Sequence, residues 1–310
     1  MQIATYDEIP WTLAPGTRGG GNATTEMLLK KGQEGFQYKR LFTGSVGEPG
    51  NFEMVVLRTN STQDIKHYPR HTHAFEQVRL TLEGDPDWTP GVITPEGWVV
   101  YMGAGTPYGP YDRQIGHVQL HVQFQGAGCP PFLNYDEMAA ARDALTKKGS
   151  FEKGVYTWFD EQGRRHNQDG HAAAVAYATG QPVVAPSARL GAPVNMNPEA
   201  FRWLPVAAGV DAKELGSFTE GKTRMGFLRL GAGVSYILPV AAQRTLYFVV
   251  GGTGTADGQP IVERDGMMQM AGEAGCALKA DQSLTLFILA LPTVESMQPM
   301  PVDTREHKVA

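Results

Sequence analysis

The chain has 310 residues, of which 19% are charged and 42% hydrophobic, and its formal net charge is -5 at pH 7. Like charges do not gather in blocks, which argues against nucleic acid or an anionic membrane surface as a partner and favours a small molecule. The length suits two domains, each large enough to bury its own core.

The cysteine count and the N-terminal residues point to a cellular compartment. Cys129 and Cys276 lie far apart and offer no disulfide framework, as expected in a reducing cytosol. Residues 1–16 lack a basic segment followed by an apolar run, and the sequence has no apolar window of about 18 residues. We therefore expect a soluble, cytoplasmic protein.

The first predicted elements are short strands. Residues 1–35 are rich in Gly and Thr and are interpreted as an arm with, at its end, one short strand at most. Beyond it, β-branched and aromatic runs bounded by Gly, Pro, Asn and Asp predict strands over 36–42, 52–58, 78–82, 98–102 and 117–124. Short strands at this spacing indicate an antiparallel sandwich or barrel.

Helical patterns begin after Gly126. Asn134 can cap a helix over 135–148, because acids lie in its first turn, lysines in its last turn and Gly149 just beyond. A second helix is predicted over 169–179. The proline-rich residues 182–198 are predicted to form an extended connector, and we place a domain boundary there.

The remaining sequence returns to strands, predicted over 225–230, 235–238, 245–250, 259–262 and 284–291, and ends in a loose tail. Residues 246–252 align with 78–84, which indicates an internal repeat. In this register the second copy carries Pro239, Ala241 and Thr245 where the first carries, in the same order, His71, His73 and Gln77. The second copy therefore has the strand pattern without these polar residues.

The residues suited to chemistry are concentrated over 69–84. His71 and His73 lie on one face of a strand, because side chains alternate with period 2, and such a pair can bind one metal ion. Gln77 and Arg79 share that face. Glu76 points away from the histidines unless a bulge shifts the strand by one residue.

The predicted strand over 117–124 also has one polar face, formed by His117, Gln119, His121 and Gln123. Of these, His121 is a candidate ligand, whereas His117 is expected to be structural or exposed. We expect three further histidines, in turn-like or weakly helical surroundings, to be solvated: His67, His166 and His171.

Residues 71–84 resemble the first motif of the cupin superfamily. That motif is a His-x-His pair, three or four residues, a Glu, six residues and a Gly. Here His71-Thr-His73 is followed at matching spacing by Gln77 and Gly84, so glutamine stands where the family usually has glutamate. The carboxylate ligand is missing from its position.

Residues from Gly97 onward resemble the second cupin motif. Five intervening residues separate Gly97 from Gly103-Ala-Gly105, and after two more intervening residues Tyr108 stands where the family has its third histidine. The resemblance, specifically to a two-domain bicupin with a degenerate first motif, covers 36–125 well and 213–292 in outline.

The resemblance implies a mainly β protein with two cupin-type jelly-roll β-barrels joined by a helical, proline-rich connector. The predicted domains are 1–132, the arm and the barrel that carries the site; 133–198, the connector; and 199–310, a C-terminal barrel without metal ligands. In cupins the apolar outer face of such strands is often covered by another domain or subunit. The apolar stripes of this chain therefore predict a homodimer.

A metal ion held by His71 and His73 needs at least one more ligand. His121 is the nearest suitable candidate, with Gln77 as a neutral oxygen donor and Tyr108 as a phenolate. Such ligands suit one divalent transition metal, Fe(II), Mn(II), Ni(II) or Zn(II), and the resemblance favours Fe(II). The opposite interpretation is a metal-free pocket in which the histidines form hydrogen bonds, because a site short of ligands binds metal less tightly.

Arg79 is costly on an inward face unless it is paired. It either anchors a substrate carboxylate or phenolate, or forms an ion pair with Glu83 or Glu53. We predict Arg79 and Tyr108 as substrate contacts. The resemblance implies an Fe(II) dioxygenase acting on a small aromatic or enolisable compound that chelates the ion. The alternatives are a non-enzymatic small-molecule binding or sensing protein and a metal-dependent isomerase or lyase.

Overall fold

The computed structural model describes residues 1–13, 36–59, 67–68, 70–112, 116–152, 154–184, 186–293 and 295. Within these ranges the chain is mainly β, with antiparallel sheets and two α-helices. Residues 14–35 of the predicted arm and the predicted C-terminal tail lie outside the described residues.

The strands of the N-terminal part form where the β-branched and aromatic runs occur. They are β1 (Gln2–Ala4), β2 (Thr12–Leu13), β3 (Phe36–Thr43), β4 (Phe52–Thr59), β5 (His67–Tyr68), β6 (Glu76–Glu83), β7 (Asp87–Thr89), β8 (Val92–Ile93), β9 (Val99–Met102), β10 (Tyr111–Asp112) and β11 (Val118–Phe124). All five strands predicted in this part are confirmed, by β3, β4, β6, β9 and β11. Their side chains pack well on a pleated, half-buried surface.

The middle of the chain contains both predicted helices, α1 (Tyr135–Thr146) and α2 (Gly170–Thr179). A capping box begins α1. The Asn134 side chain accepts from the backbone N–H groups of Asp136 and Glu137, and the Glu137 carboxylate accepts from the backbone N–H of Asn134. The sequence analysis did not predict four strands that lie within the connector: β12 (Gly149–Glu152), β13 (Val155–Phe159), β14 (Arg165–Asp169) and β15 (Val194–Met196). The first three form a sheet that packs with the helices around a separate small core.

The C-terminal part consists of strands. They are β16 (Leu204–Ala207), β17 (Val210–Phe218), β18 (Thr223–Leu230), β19 (Ser235–Ile237), β20 (Thr245–Ala256), β21 (Gln259–Ile261), β22 (Gly266–Gln269) and β23 (Ala277–Ala290). The sequence analysis missed β16, β17 and β22. Lys, Glu and Gly in β17 and the methionines of β22 have no marked β propensity, so tertiary pairing decides their conformation.

Two large sheets have the same strand order, which confirms the internal repeat. One runs β15-β9-β6-β11-β4-β3-β2 and the other β1-β22-β20-β23-β18-β17-β16. In each, the edge strand beside β9 or β22 comes from a distant part of the sequence: β15 from the predicted connector and β1 from the N-terminus. The chain thus ties the two sheets together by pairing across the predicted domain boundaries.

The main core lies between the two sheets. Val78 and Leu80 of β6 and Leu246 and Phe248 of β20 belong to one cluster of buried side chains, each at most 2% exposed. The apolar stripe of the first sheet is therefore covered within the chain, and the homodimer stays a prediction. None of the described helices is long and apolar enough to cross a membrane.

We predict that the variant Asn134→Ala lowers the free energy of unfolding by about 1–2 kcal/mol, because it removes a helix cap whose side chain also donates to the Thr43 hydroxyl. Urea denaturation measures the change. Asp143→Ala, on the exposed side of α1, is the control and should change stability by less than about 0.5 kcal/mol. Equal effects of the two variants would contradict the assigned cap.

Candidate functional site

Six polar side chains gather on the face of the first sheet that is turned away from the main core. We call them the polar cluster: His71, His73, Gln77, Arg79, Tyr108 and His121. Antiparallel pairing of β6 with β11 sets Gln77 opposite Gln123 and Arg79 opposite His121. All six predicted site residues are thus neighbours in the structure.

Burial differs along the cluster. Gln77, Arg79, Tyr108 and His121 are at most 5% exposed, whereas His71 and His73 are half-buried. The two histidines therefore form the solvent-facing end of the cluster, and a ligand would approach from their side.

Tyr108 is placed by a two-residue β-bridge. The backbone N–H of His71 donates to the Tyr108 carbonyl at 3.0 Å, and the N–H of Tyr108 donates to the His71 carbonyl at 3.1 Å. The bridge holds the two rings 4.4 Å apart. The bridge therefore brings the phenol beside His71 and His73.

One continuous hydrogen-bond network joins the buried members. The Tyr108 hydroxyl lies 2.8 Å from His73 Nε2 and accepts from Arg79 Nη2 at 3.4 Å and from Gln77 Nε2 at 3.5 Å. The Gln77 carbonyl oxygen accepts from Arg79 at 2.8 Å and faces His121 Nε2 at 3.0 Å. Because an amide oxygen only accepts, His121 donates from Nε2.

The network fixes the protonation of two of its members. Since the Tyr108 hydroxyl accepts twice, its own proton goes to His73 Nε2, which must be an unprotonated nitrogen. Burial, with the positive charge of its neighbours, lowers the pKa of His73 well below its usual value. Burial likewise raises the pKa of Tyr108 to about 12. At neutral pH the pair is therefore a neutral imidazole and a phenol, not a phenolate.

Arg79 brings a permanent positive charge into the cluster without a carboxylate partner among the described residues. Both acids considered from the sequence pair elsewhere: Glu53 with Arg40 at 2.7 Å, and Glu83 with Arg264. The guanidinium lies 4.0 Å over the ring of Trp88, and its Nε has no hydrogen-bond partner in the described part of the chain. The ion-pair alternative for Arg79 is therefore wrong.

Glu76 does not replace the missing carboxylate. Its Oε2 lies between the two large sheets and accepts from the Tyr101 hydroxyl at 2.8 Å and the Thr223 hydroxyl at 3.2 Å. A Cβ at Gly126 would lie 2.5 Å from Glu76 Cγ, so a larger residue there would require the Glu76 side chain to move. Burial raises the pKa of this carboxyl to about 7.

In this arrangement the residues do not fit a divalent metal ion. No group of three or more His, Cys, Asp or Glu side chains able to hold one occurs in the ranges that the structure describes. The Gln77 oxygen already accepts from Arg79 and His121, and His73 Nε2 already accepts from Tyr108. A dication here would also stand beside Arg79, for which the described residues offer no carboxylate to offset the charge.

The sequence analysis did not assign two residues that lie near the polar cluster in the structure. Trp88, beneath the Arg79 guanidinium, lies in a turn-rich segment where no pattern marks it. His171 was expected to be solvated, but it is half-buried on α2 with its ring 6.3 Å from that of His73, and burial lowers its pKa. Only tertiary packing brings a helix residue so distant in sequence to this face. The side chain of His67 lies outside the described residues.

Comparison with solved structures supports the fold. A protein from Nostoc punctiforme described as a candidate dioxygenase has a TM-score of 0.57 and 10% identity, over 95% of this chain and 83% of its own. A mutant of Bacillus subtilis oxalate decarboxylase OxdC has a TM-score of 0.51 and 12% identity, over 94% of this chain and 77% of its own. Streptomyces albus HEPD, with 2-hydroxyethylphosphonate and Fe(II) bound, has a TM-score of 0.50 and 10% identity, over 98% of this chain and 82% of its own.

These neighbours are cupin-fold proteins. The chain has a cupin-type fold. At 10–12% identity the likeness concerns the fold alone, and the ligands of those proteins remain their own. Neither a scan against protein-family models nor a search of curated proteins found a match.

We predict that Glu76 makes stability fall as pH rises from about 4.5 to about 7. The folded state holds its proton more tightly than the unfolded state, so the stabilisation is full below the unfolded pKa and is lost as pH passes the folded pKa. The free energy of unfolding of Glu76→Gln, taken relative to that of the wild type, should rise on the order of 3 kcal/mol between pH 4.5 and 8.

Urea denaturation of both proteins across this pH range measures the difference. Glu161→Gln, at an exposed position, is the matched control and should track the wild type at every pH. A pH-independent difference between Glu76→Gln and the wild type would show that the buried carboxyl keeps an ordinary pKa.

Proposed function

We propose that the polar cluster is a metal-free binding site for a small organic anion, a carboxylate or a phenolate. The observation that carries the proposal is the buried Arg79 guanidinium, for which the described residues provide no carboxylate. Of the functions considered from the sequence, the small-molecule binding or sensing protein fits this geometry best.

The energetic argument concerns the charge of Arg79. Removing a cation from water costs several kcal/mol unless hydrogen bonds and an opposite charge offset it. The amide oxygen of Gln77 and the ring of Trp88 compensate in part, since a cation over an aromatic ring gains roughly 0.5–2 kcal/mol. An incoming anion would supply the missing opposite charge.

The surrounding groups suit the recognition of a planar anion. Arginine presents its donors in a planar fork that matches a carboxylate. His73 and Tyr108 are both neutral, so they add hydrogen-bonding capacity without a competing negative charge. The His71, His73 and Tyr111 rings beside Tyr108 offer aromatic surface to a ligand that enters from the half-buried end.

We predict that benzoate stabilises the wild type and that neutral benzamide does not. In Arg79→Gln the affinity for benzoate should fall about 10- to 100-fold, because a charge-assisted hydrogen bond contributes about 1.5–3 kcal/mol. Isothermal titration and the shift in melting temperature measure both effects. Benzamide binding as tightly as benzoate, or unchanged benzoate affinity in Arg79→Gln, would contradict the proposal.

Arg229→Gln is the matched control. Arg229 also lies over a tryptophan, 4.4 Å from the ring of Trp203, but it is exposed and pairs with Asp211 at 2.9 Å. This variant should bind benzoate like the wild type. It separates loss of a binding group from the general effect of removing an arginine that contacts an aromatic ring.

A second candidate is the Fe(II) dioxygenase implied by the cupin resemblance. The observation in its favour is that His71 and His73, 5.0 Å apart between ring centroids, adjoin the cluster that also holds His121. The same fold holds Fe(II) in Streptomyces albus HEPD. A movement of Tyr108 and Gln77 would have to free His73 Nε2 and His121 Nε2 before an ion could bind there.

Metal analysis separates the two candidates. The anion-binding proposal predicts far less than one equivalent of transition metal in protein purified without added metal, and no uptake of Fe(II) added without oxygen. Stoichiometric iron that is lost in His71→Ala but kept in His166→Ala, a histidine paired with Asp160, would support the dioxygenase instead. Oxygen uptake with phenols, catechols and diketones would then test its activity.

A further inference from the structure

The second sheet contains a cavity of about 380 Å³ at the place that corresponds to the polar cluster of the first sheet. Strand pairing shows the correspondence: Thr245 lies opposite Ala290 as Gln77 lies opposite Gln123. Tyr247 likewise lies opposite Ile288 as Arg79 lies opposite His121. These four residues of the second sheet line the cavity, together with Pro239 and Ala241, the counterparts of His71 and His73.

Loss of side-chain volume explains why this copy has room for a ligand. The N–H of Gly272 donates to the Ala241 carbonyl at 2.8 Å, as the N–H of Gly105 donates to the His73 carbonyl at 2.8 Å. Three residues after each of these glycines stand Gly275 and Tyr108, so the phenol has no counterpart side chain. Alanine at 241 and 290 empties further space that histidine and glutamine fill in the first sheet.

The polar side chains that Thr245 and Tyr247 present to the cavity wall are already engaged by the protein. The Tyr247 hydroxyl donates to the Gln269 carbonyl oxygen at 2.9 Å, and the Thr245 hydroxyl donates to the Gln243 carbonyl at 3.0 Å. The Gln269 amide in turn donates to three backbone carbonyls. What remains for a ligand is the apolar surface of Met225, Phe227, Leu238 and Ile288.

The charged residues of the lining are also committed to other partners. The buried Lys213 donates to the Pro198 carbonyl at 2.6 Å, and Arg224 pairs with Glu214 at 3.3 Å. Val206 and Val240, on the lining, are 50% and 64% exposed, so apolar surface continues out to solvent. A charged ligand would lose its hydration here and would have to displace one of these existing contacts to gain a partner.

We propose that this cavity is a second ligand site, which binds an uncharged apolar small molecule. Its volume lies in the range of small-molecule pockets, and a pocket lined largely by apolar side chains accepts hydrophobic guests. The two copies of the repeat thus bind opposite ligand classes: an anion in the first and a neutral hydrophobic compound in the second.

The test uses N-phenyl-1-naphthylamine, an uncharged probe whose fluorescence rises in apolar surroundings. The wild type should bind it with a saturable, single-site curve. In Ala290→Gln, which returns the residue of the first copy to this position, the affinity should fall at least about tenfold, because the side chain takes up volume and brings an unpaired amide. Unchanged affinity in this variant would overturn the proposal.

Two controls locate the probe. Thr253→Gln, at an exposed position of β20, and Arg79→Gln, in the polar cluster, should both bind it like the wild type. Loss of binding in Arg79→Gln would place the probe in the first sheet and overturn the proposal. Binding that survives in Arg79→Gln also leaves this test independent of the anion site.

A displacement experiment on the wild type decides the matter if Ala290→Gln fails to fold. Naphthalene should displace the bound probe, whereas 1-naphthylmethylammonium at the same concentration should not, because Glu214, the carboxylate on the lining, already pairs with Arg224. Equal displacement by the two compounds would show that the site tolerates charge, and the assignment to uncharged ligands would then be wrong.

Discussion

The structure depends on the packing of two antiparallel sheets through their apolar faces. Val78 and Leu80 from one sheet and Leu246 and Phe248 from the other are almost fully buried in a shared core, and burying each such side chain contributes about 1.5–3 kcal/mol. Because side chains alternate along a strand, this packing turns Gln77, Arg79 and His121 to the opposite face. A slip of one residue would drive Arg79 into the core, so the same interaction that holds the sheets together specifies the site.

The two copies of the repeat share a strand order but differ in the side chains on the sheet face that is turned away from the main core. The first holds a guanidinium, a phenol and imidazoles in one hydrogen-bond network, and the second holds alanine, isoleucine and a tyrosine whose hydroxyl bonds elsewhere. Glutamine at position 77 is decisive in the first copy, because a neutral amide can accept from Arg79 where a carboxylate would neutralise it or hold a metal. The proposed binding of an anion in the first copy thus rests on electrostatics, and the proposed binding of a neutral compound in the second rests on the hydrophobic effect.

The exchange of edge strands makes the two copies one structural unit. The N-terminal β1 completes the sheet of the C-terminal half, and β15 completes the sheet of the N-terminal half. Glu76 adds a buried contact across the same boundary, since its carboxyl bonds Tyr101 from one sheet and Thr223 from the other. We expect ionisation of that carboxyl to weaken the association of the two sheets. Glu76 lies on β6, the strand that also carries Gln77 and Arg79 of the polar cluster.

The sequence by itself determined the elements whose signals are local. Alternation and β-branched runs specified most of the long strands, though not β17. Asn134 with the acids of the following turn indicated α1, and the His-x-His spacing with Gly84 indicated the cupin-type fold and the face shared by His71, His73, Gln77 and Arg79. Tertiary structure decided the rest. Strands β1 and β15 are short segments whose conformation comes from partners far away in the sequence, and Trp88 and His171 reach the cluster only through packing. Among the described residues, the pairing of Glu53 with Arg40 and of Glu83 with Arg264 leaves Arg79 without a carboxylate, because ion pairs depend on distances in space that no spacing along a chain specifies.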